Sequence, residues 1–101
     1  MRRTRAILTL SDLQARRDEI LRIAAGHGAR NVRVFGSVAR GQARPDSDVD
    51  FLVEFEPGRT VVDLSGLILD LQDALGRDVN IVEADRLAAL AHRIESEAVA
   101  L

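Results

Sequence analysis

The chain has no cysteine, no lysine, no tyrosine and no tryptophan, and only two prolines and three phenylalanines among 101 residues. Without cysteine there are no disulfides and no thiolate chemistry, which fits a cytoplasmic setting. Without lysine there is no lysyl-nucleotide or Schiff-base intermediate and no P-loop lysine. Without tyrosine the chain cannot modify itself on a phenol. With those nucleophiles gone, metal-assisted direct displacement gains by elimination over covalent catalysis. The basic start "MRRTRAILTL" has an apolar run too short for a signal-peptide core, and no membrane-spanning stretch follows.

Hydrophobic residues make up 47% and charged residues 30%, the balance of a globular domain with one modest core. Every basic residue is an arginine. Residues 1–33 carry eight arginines against three acids, whereas residues 34–101 carry six against thirteen. No aromatic residues interleave with the N-terminal arginines, so they read as a solvated helix face and tail, not a nucleic-acid surface.

Ser11 with Gln14 forms a capping-box pattern, and Leu13, Ile20, Leu21 and Ala24 follow at helical spacing until Gly26 and Gly28. The alternation in "NVRVF" (31–35) predicts a strand that ends at Gly36. Ser37 suits the cap of a brief helix over about 38–43, and Pro45-Asp46-Ser47 is a turn. The stretch "DVDFLVEF" (48–55) has a period of two. It sets Val49, Phe51, Val53 and Phe55 on one face and Asp48, Asp50, Leu52 and Glu54 on the other. An apolar stripe predicts a helix over 60–75 ended by Gly76, and "DVNIV" (78–82) predicts a third strand. Asp85 suits the cap of a last helix carrying Leu87, Leu90, Ala91, Ile94 and Ala98. The expected fold is α+β, with a small sheet of about three strands and helices over one face.

Asp48 and Asp50 point the same way from one strand, with α-carbons about 6.6 Å apart at a rise of ~3.3 Å per residue. Two such carboxylates repel, which should raise one pKa, and a shared divalent cation would offset them. Hard oxygen donors suit Mg²⁺, which keeps its remaining positions for water and substrate phosphates, and a two-ion site is possible. Gly36 permits close approach of backbone to phosphate, the amides that follow favour an anion, and the Ser37 hydroxyl can donate to a phosphate oxygen. Arg40, one turn on, is a candidate triphosphate contact. An EF-hand reading fails for want of further ligands and a closing glutamate. His27 and His92 have no partners at the spacing of a metal site or a catalytic triad.

The runs Gly36-Ser37-Val38-Ala39-Arg40-Gly41 and Ser47-Asp48-Val49-Asp50-Phe51 resemble the signature of the polymerase-beta-like nucleotidyltransferase superfamily. More narrowly the chain resembles its minimal nucleotidyltransferases (MNT), which are often antitoxins paired with a HEPN-domain ribonuclease toxin. The similarity extends to "RDVNIVEADRL" and "RIESEAV". The resemblance implies the nucleotidyltransferase fold, with a mixed sheet flanked by helices, Mg²⁺ held by Asp48 and Asp50, and ATP as donor. It also implies AMP transfer to a tyrosine hydroxyl of a HEPN partner in a hetero-oligomer, and the composition points away from a membrane and from direct nucleic-acid binding. The expected unit is one domain spanning 1–101, with 1–10 as a flexible tail.

One position departs from the family pattern. The third carboxylate of the superfamily corresponds to Asn80, isosteric with aspartate but unable to take a proton or add charge to a metal site. Asp78, two residues away on the same strand face, is the nearest substitute. Asn80 therefore keeps a second reading open, an antitoxin that neutralises its toxin by binding alone. A nucleotidyltransferase acting on a small molecule shares the same motifs and is a third.

Overall fold

The computed structural model describes residues 6–84, 94 and 96–101. Its order is α1 (Leu10–Ala15), α2 (Arg17–Gly26), β1 (Ala29–Phe35), α3 (Gly36–Ala39), β2 (Val49–Phe55), α4 (Val61–Leu75), β3 (Val79–Glu83) and β4 (Val99–Ala100). The strands form one mixed sheet in the order β3-β2-β1-β4. β1 runs antiparallel to both β2 and β4, and β2 runs parallel to β3.

The parallel pair needs a crossover, and α4 supplies it. Thr60 and Asp63 cap that helix reciprocally: the Thr60 hydroxyl accepts from the first-turn amides and the Asp63 carboxylate accepts from the Thr60 N–H. Gly76, at φ 63°, ends the helix in the left-handed region. Leu67, Leu71 and Leu75 of α4 are buried with Leu13 of α1, and with Ile20 and Ala24 of α2. They meet Val32 and Val34 of β1, Val49, Phe51 and Val53 of β2, and Val79 of β3. The sequence alternation of β2 is thus realised, with the helices packed on the face that carries Val49, Phe51 and Val53.

The N-terminal helix departs from expectation. Its cap is Thr9, paired with Asp12, in place of Ser11 with Gln14. The chain then breaks at Arg16, so one expected helix is two. Both patterns place a hydroxyl three residues before a polar group. Packing chooses between them, because starting at Leu10 lets Leu8, Leu10 and Leu13 reach the core together.

Three further corrections follow. The brief helix occupies 36–39, one turn earlier than expected, with Phe35 and not Ser37 at its cap. β1 starts at Ala29 and is irregular near Asn31, whose φ of 51° lies in the left-handed region that asparagine tolerates. The sheet has four strands where about three were expected. The additional strand, β4, is two residues long and has too little pattern to detect. Most of the expected last helix lies outside the described residues, with only Ile94, Ser96 and Glu97 described as helical. Among the described residues no helix is long and apolar enough to cross a membrane.

Candidate active site

Asp48 and Asp50 stand where β2 begins, on the sheet face opposite the core cluster. Two residues along that face Leu52 is fully buried, so the acids occupy the open end of a face that closes behind them. β3 lies beside β2 with Asp50 opposite Asn80. This register brings the Asn80 side chain between the two acids. Its amide nitrogen donates to Asp48 Oδ2 and to Asp50 Oδ1, each at 3.1 Å. Asn80 therefore borders both acids and presents a donor to each.

Burial pushes the Asp50 carboxyl above the ordinary carboxylate range. The Asn80 hydrogen bond and the Arg40 charge oppose this, while the charges of Asp48 and Glu97 add to it. The expected rise of one pKa is present, but desolvation leads and repulsion between the aspartates is secondary.

Gly36 closes the other side. Its φ is 75°, and a β-carbon there would collide with Asp50 Oδ2. Only glycine satisfies both the backbone and the carboxylate at this point. Ser37 follows immediately, half-buried, and its hydroxyl makes no hydrogen bond to a described residue. Arg40 is turned towards the C-terminal segment. Its Nη1 donates to Glu97 Oε1 at 3.2 Å and to Glu97 Oε2 at 3.4 Å, and its Nε donates to Gln42 Oε1 at 3.1 Å. The Gly36 N–H also donates to Glu97 Oε1, at 3.3 Å. Arg40 borders an apolar recess of about 400 Å³ whose walls include Ile7, Leu10, Val38 and Ala43.

Glu97 is the member of this cluster that sequence reading misses. It lies in the "RIESEAV" stretch that carries part of the resemblance, but only the pairing of β4 with β1 brings it to Gly36 and Arg40. Asp78 remains just outside β3; its carbonyl accepts from the Val49 N–H at 2.9 Å, and its side chain is exposed. His27 caps the end of α2 and pairs with Asp70 on α4 at 2.6 Å, apart from the acids. His92 lies outside the described residues.

The donor set fits Mg²⁺. Two carboxylates converge on one amide nitrogen, and Asp50 carries a desolvation cost that a cation would relieve. Among the described residues no third His, Cys, Asp or Glu joins them as a ligand group. A pair of carboxylates with the other positions left to water and phosphate oxygens is how Mg²⁺ is usually held.

The acidic pair thus faces a glycine-serine bend on a mixed sheet backed by helices. The chain belongs to the nucleotidyltransferase domain family, which it matches over residues 17–100. A protein of Methanocaldococcus jannaschii named as a protein adenylyltransferase is 37% identical over 82 residues, 80% of this chain and 88% of its own length. The protein adenylyltransferase MntA of Thermococcus cleftensis is 44% identical over 55 residues, 54% of this chain and 56% of its own. A solved structure of a minimal nucleotidyltransferase superposes with a TM-score of 0.82 at 50% identity, covering 93% of this chain and 97% of that one. A toxin–antitoxin structure with AMP-PNP shares the fold, with a TM-score of 0.72 at 20% identity over 82% of this chain and 69% of that one. The α+β nucleotidyltransferase fold expected from the motifs is the one observed.

Proposed function

We propose that this chain is a cytoplasmic antitoxin that transfers AMP from ATP to a tyrosine hydroxyl of a partner HEPN-domain toxin. The observation that carries this reading is the meeting of Asp48 and Asp50 at one nitrogen, with Gly36 pressed against Asp50. The curated relatives named as protein adenylyltransferases support the class of reaction.

In this reading Asp48 and Asp50 would hold Mg²⁺, and the Gly36 N–H, the Ser37 hydroxyl and Arg40 bind phosphate oxygens. When bound, the ion neutralises phosphate charge. The acceptor oxygen loses its proton to water and forms its bond to the α-phosphorus as the bond to the leaving pyrophosphate breaks. The chain contributes mainly placement and electrostatics. It does not take the acceptor proton at position 80, where the side chain is an amide. A missing general base costs about 10²–10⁴-fold, so transfer should be slow.

Mixing the protein with its HEPN partner, ATP and Mg²⁺ and weighing the partner by mass spectrometry tests this directly. A gain of one AMP, lost in Asp48→Ala and Asp50→Ala, is the expected result. No gain, under conditions where a relative modifies its own partner, overturns it.

Asn80 favours one second reading, neutralisation by binding alone. An amide bridging the two acids offsets part of their repulsion without any ion. If Asp48→Ala with Asp50→Ala leaves toxin neutralisation intact while ending nucleotide binding, this second reading holds.

A further inference from the structure

The C-terminal strand delivers a carboxylate onto the groups that the nucleotide is proposed to use. β4 pairs with β1 so that Arg33 faces Ala100 and Val34 faces Val99. Antiparallel register runs backwards along one strand as it runs forwards along the other. Glu97 closes the helical turn two residues before β4, and this pairing brings its carboxylate to the Gly36 N–H, which donates to Glu97 Oε1 at 3.3 Å. Two further bonds hold the strand in place: the Leu101 N–H donates to the Val32 carbonyl at 3.1 Å, and Arg17 Nε donates to the Leu101 carbonyl at 2.6 Å.

Fixed there, Glu97 accepts from the Gly36 N–H and, through both carboxylate oxygens, from Arg40 Nη1. Arg40 Nε is already given to Gln42. Of its guanidinium nitrogens, only Nη2 makes no hydrogen bond to a described residue. The pair is partly exposed, with side chains at 47% and 37% accessibility for Arg40 and Glu97. Ion pairs of that exposure are weak and exchange readily with competing anions. The Glu97 charge also adds to the electrostatic load on Asp50. A polyanion approaching Asp50 therefore meets one more negative charge, and two of its donors are in use.

We propose that Glu97 is an internal competitor for the nucleotide's phosphates, holding the Gly36 amide and the Arg40 guanidinium until a triphosphate displaces it. The proposal rests on the nucleotide-binding reading of the site and adds what sets its affinity. Removing the charge at position 97 should tighten binding of phosphorylated nucleotides and leave adenosine, which has no phosphate, unaffected. The effect should need Arg40, because that is the cation the two anions share.

The test is isothermal titration of the full chain with AMP-PNP and Mg²⁺, and with adenosine as control, for wild type, Glu97→Gln and Glu97→Gln with Arg40→Ala. Circular dichroism checks that each variant is folded. Glu97→Asp, which keeps the charge but is too short to span both donors, serves if the glutamine variant does not fold. The expected result is AMP-PNP binding about 3–10-fold tighter in Glu97→Gln, as for release of a charged hydrogen-bonded partner, and a smaller gain when Arg40 is absent. Wild type binding AMP-PNP as well as, or better than, Glu97→Gln would overturn the proposal and leave the nucleotide site standing. It would make Glu97 a residue that positions the donors. If neither protein binds AMP-PNP, the nucleotide reading falls and this proposal falls with it.

Discussion

The side-chain nitrogen of Asn80 lies 3.1 Å from Asp50 Oδ1, and at the same distance from Asp48 Oδ2. One neutral donor thus satisfies two acids that would otherwise face each other across the start of β2. Asn80→Asp replaces that donor with a third negative charge. In the absence of divalent ions the variant should be less stable by up to about 1 kcal/mol, the scale of interactions between exposed charges. Mg²⁺ should recover more stability in the variant than in wild type, a difference that thermal melts with EDTA or Mg²⁺ will show. If a general base is restored, AMP transfer should rise by about 10²-fold or more.

Asp50 titrates above the ordinary carboxylate range because burial disfavours its charge. For an acid whose folded pKa is raised, the associated stability is present below the unfolded pKa. It is lost as pH rises through the folded value. Asp50→Asn should therefore stabilise the metal-free protein at neutral pH, with the gain over wild type shrinking as pH falls into the carboxylate range. Urea denaturation across that range measures it. A carboxyl-detected NMR titration should show the Asp50 midpoint falling only modestly in Asp48→Asn, since desolvation is the leading cause.

Gly36→Ala asks for a side chain where the backbone has φ 75° and where Asp50 Oδ2 already stands. Strain of this kind costs about 1–3 kcal/mol. The denaturation midpoint should fall accordingly, and AMP-PNP binding should be lost even where the variant remains folded. Gly41, also at positive φ but with nothing within 4 Å of an added β-carbon, should lose stability on substitution without losing the ligand.

Thr9→Ala should cost about 0.5–2 kcal/mol, because the Thr9 hydroxyl caps the first helix. Ser11→Ala, at the residue that the pattern alone favours as the cap, should change stability by only a few tenths of a kcal/mol, as at an exposed site without such a role. Paired chemical denaturation curves distinguish the two.

Which parts of the protein were legible in its sequence follows from how each is encoded. The two faces of β2 were plain, because an alternation such as Val49-Asp50-Phe51 has one consistent pleated solution. The stripe of α4 and its end at Gly76 were equally local, as was the end of β1 at Gly36. The helix starting at Thr9 was misplaced because Thr9-Asp12 and Ser11-Gln14 are near-equal local signals, and burial of Leu10 and Leu13 breaks the tie. β4 was invisible because two residues carry no period, and pairing with β1 alone makes them a strand.

The sequence by itself determined the fold class and the acidic pair, since both depend on periodicity and on residues one or two positions apart. Tertiary structure decided the rest of the site. Parallel pairing of β2 with β3 turned Asn80 into the donor shared by Asp48 and Asp50. Antiparallel pairing of β4 with β1 carried Glu97, 57 positions beyond Arg40, onto its guanidinium. Strand register is set by the packing of whole elements on the core, so contacts that depend on it emerge only when the chain is folded.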